Sequence, residues 1–379
     1  MDFDLTERQR KRHEELLTAL AEGTTERPPG AERPYDRERW SAAAGLGLTG
    51  LCLPGEYGGG DLDALDTALS LESFGEGCSD TGLVFAVSAH LLACGVPIRD
   101  FGGEAARAEL LPGLASGALI AANAMTEDGA GSDLGTLSVT AERDGDRYVL
   151  HGEKSFASNA PAADVFVTYA VTDPGGGYLG ISAFAVPREL PGVQVGETFD
   201  KMGLSSCPAA RVRFDGVSVP VRLLLGHEGQ GSAVFTHSMA WERSCLFAGY
   251  LGMMNRQLRL CVQHASERRQ FGKAIGSYQA VSHRIAGMKQ RLEGARLLQY
   301  HAAWLLSQGR TDNGAIALAK VAVSDAAVAN SLDAIQLFGG SGYLRETGVE
   351  VDLRDAVPAV IFSGTTDIQR ELIARGLGL

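Results

Sequence analysis

The sequence predicts an α+β fold of three successive domains, on three observations. Apolar residues recur at helical spacing over roughly the first 120 residues, strict alternation takes over from about residue 121, and helical spacing returns near 229. Nowhere do strands and helices alternate in the βαβ order that a parallel sheet needs. With 379 residues, 45% hydrophobic and 21% charged, the chain can bury sizeable cores, and the changes of period divide it at 1–120, 121–228 and 229–379.

The first segment is helical. In "GDLDALDTALSLESFG", Asp61 is a candidate N-cap, Leu62, Leu65 and Leu69 follow at helical spacing, and Gly75 is a candidate stop. "SDTGLVFAVSAHLLACGV" opens on Ser79 or Asp80 as cap, and its almost wholly apolar body predicts a buried helix. In the second segment, "SVTAERDGDRYVLHGEK" places two β-prone runs around Asp144-Gly145-Asp146. "VFVTYAV" and "ISAFAV" flank a glycine-rich turn, and "ARVRFDGVSVP" alternates up to Asp215-Gly216. An antiparallel domain is expected. "GGGYLG" fits G-x-G-x-x-G, but a strand follows where a dinucleotide fold needs a helix N-terminus, which rejects a Rossmann reading. In the third segment, Ile285, Met288, Leu292, Ala295, Leu298, Ala302 and Leu305 form one stripe suited to a bundle. A later helix ends at "LFGGSGY", where Gly339 and Gly340 suit a C-cap or close approach by a ligand.

Composition narrows the function classes. A net charge of −12 disfavours nucleic acid and anionic membranes. The start, "MDFDLTERQRKRHEELL", lacks an apolar core, and no run of about eighteen apolar residues occurs, so no secretion or membrane span is indicated and a cytoplasmic location is expected. Cys52, Cys78, Cys94, Cys207, Cys245 and Cys261 lie far apart without C-x-x-C, which argues for reduced thiols and against a metal site. His90 and His237 lie among apolar residues, where a satisfied core histidine is the default.

Several short motifs carry chemistry. "AMTEDGAGSD" offers the hydroxyls of Thr126 and Ser132 and bare glycine N–H groups. "GEKSFASNAP" places Phe156 two residues before Ser158, so on a regular strand a ring and a donor share one face. "ERRQFGKAIGSYQAV" puts Arg268 and Arg269 at a helix end, suited to a phosphate or to plain solvation. Singly, each is as readily an ordinary surface feature. In this order, together with "PGEYGGGDLDAL", "KMGLSSC", "FDGVSVP", "QLFGGSGY" and "SGTTDIQR", they make the chain resemble the acyl-CoA dehydrogenase superfamily along essentially its whole length.

The resemblance implies an N-terminal helical domain, a central β-barrel-like domain and a C-terminal four-helix bundle, with FAD between the last two and a homotetrameric assembly. It places Met125, Thr126 and Ser132 along the flavin and its pyrophosphate. Phe156 falls where an aromatic residue, usually Trp, packs on the flavin ring, and Ser158 where a Thr hydroxyl bonds its reactive edge. Arg268, Gln270, Phe271, Gln336, Gly339 and Gly340 match positions that reach a neighbouring subunit's FAD. Thr365 and Asp367 match the loop over the adenine-side phosphates, with Asp367 standing where Gln or Glu is usual.

The implied chemistry needs a carboxylate to remove the α proton of an acyl thioester. In most of the family that group is a Glu before the Gly-Thr of the C-terminal loop. Here the position is Ser363, too weak a base without an activating partner. Some members carry the base on a bundle helix, and "SMAWERSC" offers Glu242 there, among apolar neighbours that would raise its pKa. Arg243 matches a family Arg beside the base. Trp241 is either a wall of the acyl pocket or bundle packing, and Ser363 is a turn residue or shapes the space a Glu would fill.

"SMAWERSC", "IFSGTTDIQRELIARGLGL" and "DTALSLESFGEG" most resemble the prolyl carrier-protein dehydrogenases of pyrrole-forming natural-product pathways. That subgroup implies a peptidyl or acyl carrier protein as partner and a four-electron oxidation of tethered L-proline. A short acyl-CoA or another acyl carrier thioester is the alternative substrate. A flavin monooxygenase or an inactive homologue on the same fold are more remote alternatives.

Overall fold

The structure, a computed structural model, describes residues 4–22 and 34–379. Of the expected N-terminal helical domain, residues 1–3 and 23–33 lie outside the described residues. Helices α1 (Glu7–Glu22), α2 (Arg37–Gly45), α3 (Ala64–Gly77), α4 (Thr81–Ala89), α5 (Val96–Phe101) and α6 (Glu104–Ala115) come first. A π-helical turn at His90–Gly95 joins α4 to α5. Asp80 caps α4 by accepting from the Leu83 N–H at 3.1 Å. The cap of α3 is Asp63, which accepts from Asp66 N–H; Asp61, the expected cap, is left-handed (φ 51°) in the loop before it. Gly75 does not stop α3. It lies inside the helix, with the backbone of a bundle helix against it.

The strands are β1 (Ala121–Ala124), β2 (Thr140–Asp144), β3 (Arg147–Ser158), β4 (Val165–Val171), β5 (Ile181–Pro187), β6 (Val193–Val195), β7 (Ala209–Pro220) and β8 (Leu224–Leu225). They form one eight-stranded sheet in the order β6-β7-β3-β2-β4-β5-β8, with β1 beside β4. Asp144 pairs with Arg147 across a turn at left-handed Gly145, as the sequence predicts. Two expectations are corrected. β1 runs parallel to β4, and β2 touches β4 in the same sense, so the sheet is mixed. The alternating strand does not end at Asp215-Gly216: left-handed Gly216 lies within β7 beside a register shift against β3, a bulge that bends a continuous strand.

Helices α7 (Gly231–Cys245), α8 (Ala248–Glu267), α9 (Gln279–Ser307) and α10 (Asn313–Phe338) build the C-terminal bundle, with the small hairpin β9 (Arg269–Gln270) and β10 (Lys273–Ala274) between α8 and α9. Two shorter helices, α11 (Val349–Ala356) and α12 (Thr366–Gly376), complete the chain. In the α9 stripe Met288, Leu292, Ala295, Ala302 and Leu305 are buried as expected, whereas Leu298 is exposed. The stretches Thr81–Phe101 and Asn313–Tyr343 are long and apolar enough to cross a bilayer, but the first is wholly buried in the fold and the second packs in the bundle. All six cysteines are buried and free.

Two buried polar networks join the layers. The Arg39 guanidinium and the Ser206 hydroxyl both meet the Asp80 carboxylate, tying the helical domain to the β domain. Asp355 on α11 accepts from Leu204 N–H at 2.6 Å, and its carbonyl accepts from the Tyr250 hydroxyl at 3.0 Å, tying the β domain to the bundle. His90 is a satisfied core histidine: its Nδ1 accepts from Ala121 N–H at 3.0 Å, so Nε2 carries the proton that meets Leu114 O at 3.1 Å. Burial holds its pKa down to about 4. His237 departs from expectation, lying half-exposed with Nε2 on Asp100 at 2.6 Å.

Candidate active site

A cleft of about 240 Å³ opens where the sheet meets α7 and the loop before α12. Its β wall is positioned by a buried ion pair. Lys154 Nζ lies 2.8 Å from Glu127 Oε1 and donates to Met125 O at 3.1 Å, while Ser155 N–H donates to Thr126 O at 2.7 Å. Glu127 also accepts from Ser138 and Val139. Burial pulls the Lys154 amine down to about 8 against the Glu127 charge. Burial pushes the Glu127 carboxyl up, but Lys154 and Ser138 outweigh it and leave it below its ordinary value. The result is a rigid edge that presents Met125, Thr126 and Ser132 to the cleft.

Phe156 and Ser158 both line that wall, but not by simple alternation. Register shifts between Lys154 and Ala157, Phe156 is left-handed (φ 53°), and its ring stands 65% exposed over the opening. An aromatic face left so open on a strained backbone is a natural stacking platform for a planar group. Gly131 adds bare backbone at the same edge, with nothing within 4 Å of where a Cβ would sit.

The α wall carries Glu242 and Arg243 from α7, and Ser363 and Gly364 from the loop. Glu242 is 6% exposed and accepts a hydrogen bond from the Ser363 hydroxyl. Burial raises its pKa, opposed by that hydrogen bond and by the Arg243 charge. Arg243 Nε donates to Ser363 O at 2.7 Å. Gln299 on α9 donates to Arg243 O at 3.0 Å, which fixes α7 against the bundle.

The structure thus gathers Met125, Thr126, Ser132, Phe156, Ser158, Glu242, Arg243 and Ser363 around one opening. Trp241 does not line the cleft; it lies under the Arg99 guanidinium, 4.3 Å from the ring centroid. Thr365 caps α12 by accepting from Ile368 N–H, and Asp367 is exposed beside Arg370. Arg268, Gln270, Phe271, Gln336, Gly339 and Gly340 are exposed away from this chain's cleft, Phe271 at 93% on the β9–β10 hairpin. The sequence reading missed Phe85, Ala89, Ala93, Phe235 and Phe362, an apolar lining beside Glu242, and Asn123, whose buried Oδ1 has no partner among the described residues. The alternation of "AANAMT", which puts Asn123 on the face of Met125, was the available signal.

Comparison with known proteins agrees with this architecture. The acyl-CoA dehydrogenase N-terminal, middle and C-terminal domain families match residues 9–118, 122–217 and 229–378. The L-prolyl-(peptidyl-carrier protein) dehydrogenase of Pseudomonas fluorescens is 50% identical over the full length of both chains. The enzyme of the same name from a Serratia species is 44% identical over 92% of this chain and 90% of its own. Among solved structures, PigA with FAD and proline superposes with a TM-score of 0.96 at 42% identity, covering all of both chains. The chain belongs to the acyl-CoA dehydrogenase family.

Proposed function

We propose that the chain is an FAD-dependent dehydrogenase that oxidises L-proline, tethered as a thioester to a peptidyl carrier protein, to the pyrrole-2-carboxyl thioester. Support for the substrate comes from the two prolyl carrier-protein relatives and from the proline-bound neighbour. The single observation that carries the chemistry is a buried carboxylate, Glu242, in a cleft whose opposite wall offers an open aromatic face and three hydroxyls.

The residues present fit FAD: Phe156 would stack on the flavin ring, Ser158 and Thr126 would bond its edge, and Ser132 would serve the pyrophosphate. When bound there, FAD supplies a two-electron acceptor. Glu242 then takes the α proton, and burial suits it to this work by raising its basicity. The apolar lining of Phe85, Phe235 and Phe362 excludes water from the reacting carbons. A second oxidation completes the loss of four hydrogens, after an external acceptor has taken the electrons of the first.

In this reading the chain divides at 1–120, 121–228 and 229–379, and the enzyme is a cytoplasmic homotetramer. Arg268, Gln270, Phe271, Gln336, Gly339 and Gly340 then serve a neighbour's cofactor, which accounts for their exposure here. Thr365 and Asp367 serve the adenine side.

The test combines mass spectrometry of carrier-bound L-proline with an anaerobic flavin assay. The wild type removes four hydrogens and bleaches its flavin with prolyl thioester alone. Glu242→Gln keeps the yellow cofactor and is not bleached. Because burial raises the folded carboxyl's pKa, the ionised form costs stability at neutral pH, so this variant melts no lower than wild type. Full bleaching by Glu242→Gln would refute the assignment, and bleaching by butyryl-CoA but not by prolyl thioester would refute the substrate.

A further inference from the structure

Residue 363 lies in a left-handed conformation (φ 55°), and Gly364 after it is left-handed too (φ 83°). Serine adopts this backbone at a cost of about 1 kcal/mol, and glycine adopts it freely. Backbone geometry alone would therefore favour Gly at 363, so the hydroxyl needs its own explanation.

The contacts supply one. Residue 363 is held at both ends against consecutive residues of α7: its carbonyl accepts from Arg243 Nε at 2.7 Å and its hydroxyl donates to Glu242. Gln369 Nε2 adds a second, longer contact to the same carbonyl at 3.5 Å. The loop cannot slide, because Phe362 is wedged against Phe85, Phe247 and Tyr250 with ring centroids 4.7, 5.3 and 6.2 Å away. Among the described residues no donor other than Ser363 reaches the Glu242 carboxylate. A carboxylate with one donor has one oxygen committed, and the other is left for the substrate.

We propose that Ser363 is a positioning residue for the base, its hydroxyl fixing which oxygen of Glu242 faces the α carbon of the bound thioester. The proposal rests on Glu242 being the base. In this arrangement the loop takes part in the reaction through its hydroxyl. The hydroxyl donates to the anionic base before proton transfer, and it can rotate to accept from the protonated acid afterwards, so neither state leaves a buried polar group unmet. Donation to the anion is the stronger of the two, so the contact also restrains the upward push of burial on the carboxyl.

The test is Ser363→Gly, chosen because glycine adopts the left-handed backbone freely while the hydroxymethyl group, and with it the hydroxyl, is removed. The FAD-loaded variant is mixed anaerobically with prolyl thioester across a pH series, and the rate of flavin bleaching is followed. The acid limb of the rate should move up by about one pH unit, the tenfold change expected for one hydrogen bond to a charged group. The plateau rate should fall roughly tenfold, because a carboxylate that is no longer held presents the wrong oxygen part of the time, with substrate affinity within about twofold, since the lost contact is to the base and not to the substrate. An acid limb and plateau identical to wild type would overturn the proposal. Glu242→Gln in parallel separates the two readings. If that variant is dead while Ser363→Gly behaves as wild type, only the positioning role fails; if it is active, the base assignment itself fails.

Discussion

Replacing Gly75 by Ala tests how the N-terminal domain is locked to the bundle. A Cβ there would lie 2.0 Å from Gly249 O, 2.8 Å from Gly249 C and 3.0 Å from Gly249 Cα, against an ordinary contact of 3.4 Å or more. All three atoms are backbone, so no side chain can swing aside. Gly252 meets α3 in the same way, its Cβ position 2.1 Å from Glu72 O. To admit the methyl, α3 and α8 must part by more than about 1 Å, and a gap of that size forfeits a quarter to a half of the dispersion energy of the contacts across it. Overpacking of this kind costs about 3 kcal/mol, and the better helix propensity of alanine returns about 1 kcal/mol, leaving a net loss of roughly 2 kcal/mol. The measurement is the urea midpoint of the FAD-loaded protein, with Gly294→Ala beside it. Gly294 is exposed in α9 with nothing within 4 Å of its Cβ position, so that change should stabilise by up to about 1 kcal/mol. A Gly75→Ala protein as stable as wild type would refute the close-crossing argument, as would an equal loss in both variants.

Phe156→Ala should leave the cofactor-free protein's melting temperature unchanged, because the ring is 65% exposed and its nearest ring neighbour is Phe199 at 5.2 Å. It should weaken FAD binding by about 1–2 kcal/mol, near tenfold, read by titration of flavin fluorescence. Lys320→Met should stabilise the fold by about 1–3 kcal/mol at pH 7. The Lys320 amine is fully buried without a hydrogen-bond partner among the described residues, and burial, with Arg243 nearby, pulls it down to about 8. Folded, it loses its proton near pH 8; unfolded, it keeps it to its ordinary 10.5, so the native state recovers stability as pH rises through that window. The gain from Met should shrink between melts at pH 7 and pH 10, and a loss at pH 7 would contradict the account.

The domain order was legible because a change of hydrophobic period survives any error in an element's ends. The cap of α3 was not, since Asp61 and Asp63 are chemically equal candidates. What decides between them is non-local: Asp61 N–H bonds Leu53 O and Leu62 N–H bonds Leu51 O, which folds that loop back and leaves Asp63 at the helix start. Gly75 and Gly216 show a similar limit. Locally each resembles a stop or a turn, yet one serves a helix crossing and the other a bulge. At the site, the apolar neighbours of Glu242 announced a carboxyl with a raised pKa, but its hydrogen bond to Ser363 spans 121 positions and follows only from the fold. The Lys154–Glu127 pair was missed for the same reason, being set by strand placement.

The two walls of the cleft belong to different domains, and each is rigid for its own reason. Lys154 and Glu127 fix the β wall; Arg243, Gln299 and Phe362 fix the α wall. Neither set of contacts determines the distance between Phe156 and Glu242. That distance is set by the packing of the β domain on the bundle and by the polar links across it, Asp355 to Leu204 N–H and to Tyr250. Proton removal from a bound thioester tolerates little error in position, so those remote links bear on the rate although no substrate touches them. A base carried on α7, one member of the bundle core, inherits the bundle's rigidity; a base on the loop would depend on the left-handed turn at residues 363 and 364 to hold it. With the Glu242 carboxylate on the helix and the Ser363 hydroxyl on the loop, the charged group sits on the stiffer element and the softer one contributes a single hydrogen bond to it.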